Sequence, residues 1–184
     1  MNHVARTLAT ILVFGLFVVG SNTFALAKSA KEIDTGTDEA LAKLYAESVA
    51  AKELGAKSRG ILIFPTITKG GLVVGGEYGE GALRVNGKTQ GYYSSASGSI
   101  GLQIGLSSRS LVIMFMNDEA LKKFTGSKGW EAGVDADVTV IDTGATGSFD
   151  TTTVKNPVIA FNLGESGLMA GVSLEGTKVS KFKP

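Results

Sequence analysis

The chain has 184 residues, with 18 Lys+Arg against 17 Asp+Glu, 25 glycines, no cysteine and a single histidine, His3. So even a balance projects no global field towards nucleic acid or a membrane, and without cysteine no disulfide frame exists. With His3 inside a leader, neither His nor Cys remains for Ser-His-Asp or Cys-His catalysis or for the usual zinc and copper sites, so neither an enzyme nor a cofactor is expected.

The leader comes first. His3 and Arg6 make a short basic start, Leu8 to Gly20 is an apolar run without a charge, and Ala25-Leu26-Ala27 supplies a small-x-small cleavage pattern. A run this short, followed by small and polar residues, predicts a secretory signal over residues 1–27, cut after Ala27, rather than a spanning helix. The expectation is an exported protein, periplasmic or extracellular, with no lipid anchor, since no cysteine follows the cut. Lys28 to Pro184 is 157 residues; Arg6 is the one cation lost, leaving 17 Lys+Arg against 17 Asp+Glu. That is enough chain for one domain with its own core.

Residues 28–36 are polar and read as a loose leader, with a single domain over 37–184. Thr37 is placed to cap a helix from Asp38 to Leu54. Leu41, Leu44, Tyr45 and Ala51 share one face of it, Ser48 interrupts that stripe, and Gly55 suits the position beyond its end. "GILIFP" is a continuous apolar run ended by Pro65, the pattern of a buried strand. "LVVGG" is a second strand, and "ALRVNGKTQGYY" reads as a hairpin turning on Asn86-Gly87. "SIGLQIGLSS" alternates apolar and near-bare positions. "LVIMFM" is a fully buried run, after which Asn117-Asp118 cap a short helix through Phe124. "ADVTVID", "PVIAF" and "GLMAGVSLEG" follow as strands, the last with Leu168, Ala170, Val172 and Leu174 on one face. These elements make one α+β domain, its sheet mainly antiparallel.

Phe64 to Leu83 holds six glycines in twenty residues. The nearest approach to a phosphate loop, "GALRVNGKT", encloses five residues between Gly81 and Gly87 instead of the required four, and its Asn-Gly is a hairpin signal. The glycines instead sit within or beside strands, where they mark bulges, bends or close backbone approach. They let a sheet curl into a barrel-like shape.

"AKSRGILIFPTITKGGLVVGGEYGEGAL" (Ala56 to Leu83) resembles the signature of the SYLF domain family, a lipid-binding domain also described as a yeast-type actin-binding domain. "SASGSIGLQIGLSSRSLVIMFMNDEAL" (Ser95 to Leu121), "GVDADVTV" (Gly133 to Val140) and "GLMAGVSLEGTKV" (Gly167 to Val179) match it in order. The resemblance implies non-enzymatic binding of anionic phospholipid head groups, phosphoinositides in eukaryotic members, through an amphipathic N-terminal helix and basic residues. Carried over, Lys69 is the lysine of "FP-x-x-x-KGG", and Lys57 and Arg59 flank the first strand. The helix from Asp38 to Leu54 takes the place of the membrane-binding helix. It departs from that role in charge, with Asp38, Glu39, Glu47 and Glu53 against Lys43 and Lys52, and Tyr92-Tyr93 stand where many relatives show a tryptophan.

The candidate site is therefore Lys57, Arg59, Lys69, Arg84 and Lys88. Either they gather as a head-group site, or they are solvated cations that keep sheet edges from pairing. The expected partner is an anionic phospholipid or membrane surface, with no nucleic acid; the alternative is a structural or protein-partner-binding envelope protein on the same fold. Lys122, Lys123 and Lys128 with Trp130 are a second candidate contact, Trp130 itself being expected in core packing. The tail "TKVSKFKP" sets three lysines around Phe182, either to lie on a lipid surface or, the favoured reading, as a frayed polar end. Asp135, Asp137 and Asp142 lack the calcium-loop spacing and read as surface carboxylates, as do Glu77 and Glu80.

Overall fold

The computed structural model describes residues 28–70, 74–100, 107–141 and 156–184. The expected signal at 1–27 and most of the "SIGLQIGLSS" alternation lie outside the described residues.

Residues 28–36 are not a loose leader. Helix α1 runs Ala30–Glu47, opened by a capping box in which Ser29 accepts from the Glu32 amide and Glu32 reaches back to the Ser29 amide. That exchange satisfies two of the donors a helix start leaves free. The hydrogen bonds to Ser29 hold the Glu32 carboxyl below its ordinary pKa. Thr37, expected as the cap, is buried within α1, and its hydroxyl donates to the Asp34 carbonyl at 2.8 Å.

The helix expected through Leu54 breaks at Ser48. That residue takes extended angles (φ −138°, ψ 104°), closes α1 by donating its N–H to Leu44, and caps α2 (Val49–Lys57) by accepting from Ala51. Gly55 lies inside α2, not beyond it. A Cβ there would stand 2.0 Å from the Tyr45 hydroxyl, so its bareness lets α2 pass beneath the α1 tyrosine.

The nine strands among the described residues join one sheet, in the order β5-β9-β3-β2-β1-β4-β7-β6, with β8 on β7. They are β1 (Gly60–Gly70), β2 (Val74–Val85), β3 (Lys88–Ile100), β4 (Ser107–Phe115), β5 (Trp130–Glu131), β6 (Thr139–Ile141), β7 (Val158–Gly164), β8 (Gly167–Leu168) and β9 (Lys178–Phe182). Among the described residues every pairing between these strands is antiparallel except β6 with β7. The sheet is a strongly curled half-barrel, as the glycine pattern predicts.

Pro65 does not end β1. The ladder shifts register around it on both neighbours, a bulge that absorbs the missing donor, and pairing resumes through Gly70. The freed Pro65 carbonyl accepts from the Ser110 hydroxyl at 2.7 Å. Facing the bulge, a Cβ on Gly81 would stand 2.1 Å from the Ile63 carbonyl oxygen. Only glycine permits that approach. The β2–β3 hairpin turns on Asn86 and Gly87 with φ of 50° and 73°, the left-handed pair of a type I′ turn.

Two apolar layers flank the sheet. Ile61, Ile63, Val112, Met114, Ile159 and Phe161 meet α1 and α2 through Ala40, Leu44, Ala51 and Leu54. The other face carries Leu62, Phe64, Leu83, Leu111, Ile113 and Phe115 under α3 (Asp118–Gly126), which Asn117 caps as predicted. Tyr93 and Phe115 lie against Phe124 at centroid distances of 4.9 and 4.7 Å, and Trp130 meets Phe124 edge-on at 5.8 Å. Trp130 is thus core, as expected.

The C-terminal end differs from its reading. Of "GLMAGVSLEG" only Gly167 and Leu168 form a strand, and Gly171 and Gly176 beyond them adopt left-handed φ of 70° and 74°; of the expected apolar face only Leu174 is buried. The tail is not frayed but forms β9 between β3 and β5, with Val179 in the core.

Candidate functional site

Four of the five candidate cations sit at one end of the sheet. Ile61 pairs with Arg84, and Val85 with Lys88 across the hairpin, so the start of β1 and the β2–β3 turn share an edge with the end of α2. Between them opens a cleft of about 330 Å³, lined by Tyr45, Ser58, Arg59, Arg84 and Asn86 among others. Lys57 and Lys88 immediately adjoin lining residues in the chain, and both are exposed. Burial raises the pKa of Tyr45 on the cleft wall.

The four differ in what holds them. The Arg84 side chain is 15% exposed and its Nη2 donates to the Asp34 carbonyl (3.1 Å), Thr37 Oγ1 (3.0 Å) and Asp38 Oδ1 (2.8 Å). Its Nε is buried without a partner. Asp34 also accepts from Thr89 Oγ1 at 2.8 Å and from the Tyr92 hydroxyl at 3.0 Å, so one acidic residue of α1 ties down β2 and β3 together. Desolvation and that bond to Asp34 raise the Tyr92 pKa. Arg59 instead stands 3.8 Å from Asp118, both side chains well exposed (59% and 72%), a geometry worth little.

Lys69 is elsewhere. It lies eight positions along β1 from Ile61, roughly 25 Å away at strand rise, with Glu77 and Ser107 as its register partners. The five cations do not form one group.

The end of β1 near Lys69 holds a polar cluster that sequence reasoning missed. Arg109 Nη2 meets Glu77 Oε2 at 2.7 Å, its Nη1 donates to Asn162 Oδ1, and Asn162 is fully buried with Nδ2 unpartnered. Glu77 is therefore committed rather than solvent-facing. Glu80 is buried as well, accepting from the Lys28 N–H and the Tyr78 hydroxyl. The available signals were an arginine at the head of "LVIMFM" and an asparagine inside "PVIAFNLG".

Of the remaining candidates, Lys122, Lys128 and Asp137 are exposed. Asp135 accepts from the Glu131 amide at 2.7 Å, and its carbonyl accepts from Lys123 Nζ. Asp142 lies outside the described residues. Among the described residues no cluster of three His, Cys, Asp or Glu could hold a metal, and no helix is long and apolar enough to cross a membrane.

Residues 96–183 match the family model Ysc84, Las17-binding protein actin regulator. This is the SYLF family that the sequence motifs resemble, a family of binding domains, and the match takes in residues 96–183, just under half of the chain. The match begins within β3 and so reaches none of the five candidate cations. No curated protein matches the chain.

Proposed function

We propose that the chain is an exported, non-enzymatic module that binds anionic phospholipid head groups at an envelope membrane surface. The supporting observation is the gathering of Lys57, Arg59, Arg84 and Lys88 around one cleft at the start of β1. Arg84 acts there as a brace, its donors already on α1, while Lys57, Arg59 and Lys88 supply the exposed charge. Three such contacts at about 1 kcal/mol each give roughly 3 kcal/mol, a weak and reversible attachment. Salt weakens it, because exposed charges more than about 10 Å apart are screened at 0.1 M. Lys69 contributes nothing to this end.

The test is co-sedimentation with phosphatidylglycerol or cardiolipin vesicles against neutral ones. Wild type is expected to bind the anionic vesicles at low salt and lose them at high salt. The Lys57→Glu/Arg59→Glu pair should abolish binding, and Lys69→Glu should leave it intact. A wild type that ignores anionic vesicles at low salt sinks the reading. It would favour a protein partner for this surface, the kind of ligand that the family's description names.

A further inference from the structure

Glu80 on β2 is 8% exposed, and both of its described donors are neutral: the Lys28 backbone N–H at 2.9 Å and the Tyr78 hydroxyl at 3.0 Å. A carboxylate withdrawn from water and met only by neutral donors is poorly compensated. The nitrogen on Glu80 has a special position in the sequence. Lys28 is the residue that a cut after Ala27 would make the first of the processed chain.

We propose that Glu80 is the receptor for the N-terminus that processing creates. Hydrolysis of the Ala27–Lys28 bond by an export endopeptidase adds water across it. Ala27 leaves with a carboxylate, and the Lys28 amide nitrogen becomes a primary amine that takes up a proton at neutral pH. That nitrogen already lies at hydrogen-bond distance from Glu80 Oε2, so the cut turns a neutral contact into a charge-assisted one without moving the chain. Ser29 and its capping box follow at once, so the pair fixes the first turn of α1 on β2. The Arg84 brace holds the same helix from Asp34 to Asp38. Processing thereby completes the attachment of α1 to the sheet.

This inference rests on the export reading and is independent of head-group binding. The full gene is expressed for export, and the N-terminal mass of the purified protein is read. The expected first residue is Lys28. Inserting Gly-Ser between Ala27 and Lys28 then moves the freed amine two residues away from Glu80. The uninserted protein is expected to melt at least about 3 °C higher than the inserted one. Glu80→Gln should lower the melting point of the uninserted protein by a similar amount and that of the inserted protein by under about 1 °C. Should Glu80→Gln not fold, the comparison of the two wild-type forms decides alone. A first residue elsewhere in the leader overturns the proposal but leaves export standing; a chain still starting at Met1 overturns both. Equal melting points for the two wild-type forms, or equal losses from Glu80→Gln in both, also overturn it.

Discussion

The two ends of the β1–β2–β3 meander both gather charge and treat it in opposite ways. Where β1 begins, Lys57, Arg59 and Lys88 remain exposed and only Arg84 is committed, to oxygens of α1. Where β1 finishes, Arg109 and Glu77 close on one another, with side chains only 9% and 19% exposed, beside the buried Asn162. Charge withdrawn from water survives only when partnered, and is then consumed by the fold. Charge left in water costs the fold little and stays available to a ligand.

The sharpest way to break this contrast is at the closed end. Arg109→Ala leaves Glu77 and the Asn162 carbonyl oxygen without their described donor, in a site largely cut off from water. The expected loss is about 2–4 kcal/mol, read by chemical denaturation. A loss under about 1 kcal/mol would mean that water reaches Glu77 and that the two ends do not differ in kind.

Arg84→Ala tests the committed residue of the open end, where the expected loss is smaller, about 1–3 kcal/mol. Asp34 keeps two donors, Thr89 Oγ1 and the Tyr92 hydroxyl, and Asp38 is exposed enough for water to replace the guanidinium. If Arg84→Ala costs as much as Arg109→Ala, the cleft is an internal joint and not a surface set aside for binding.

Ser48→Ala probes the joint that sets α2 over the cleft. It removes the hydroxyl that accepts from the Ala51 amide and should cost about 1 kcal/mol in the same denaturation measurement.

What could be read from the sequence divides along physical lines. The α+β class, the curled sheet, the Asn86-Gly87 turn and the Asn117 cap all follow from local rules, since each depends on residues adjacent in the chain. The misreadings depend on tertiary context. Gly55 resembles a helix end until Tyr45 is known to lie over it. Pro65 resembles a strand end until both neighbouring strands bulge around it. The tail "TKVSKFKP" has the composition of a free end, yet Val179 finds the core because β3 and β5 offer a slot. The site divides in the same way. Lys57 and Arg59 are adjacent in sequence and stay together, whereas Lys69 follows the length of a strand to the opposite end. Glu77 and Glu80 looked like solvated acids because their partners, Arg109 and Lys28, lie 32 and 52 residues away.

The smallest expected effect carries the functional argument furthest. Arg59 and Asp118 stand at 3.8 Å with both side chains well exposed, so ordering two mobile groups nearly cancels a screened attraction. Arg59→Ala, Asp118→Ala and the double variant, compared as a cycle, should give a coupling under about 0.5 kcal/mol that vanishes at high salt. Such a result means that the fold does not use Arg59, which is the condition for its charge to be spent on a ligand. A coupling above about 1 kcal/mol would make Arg59 a strut between β1 and α3. An arginine held that firmly could turn towards a head group only by loosening α3, and the contrast between the two ends would reduce to a difference in exposure.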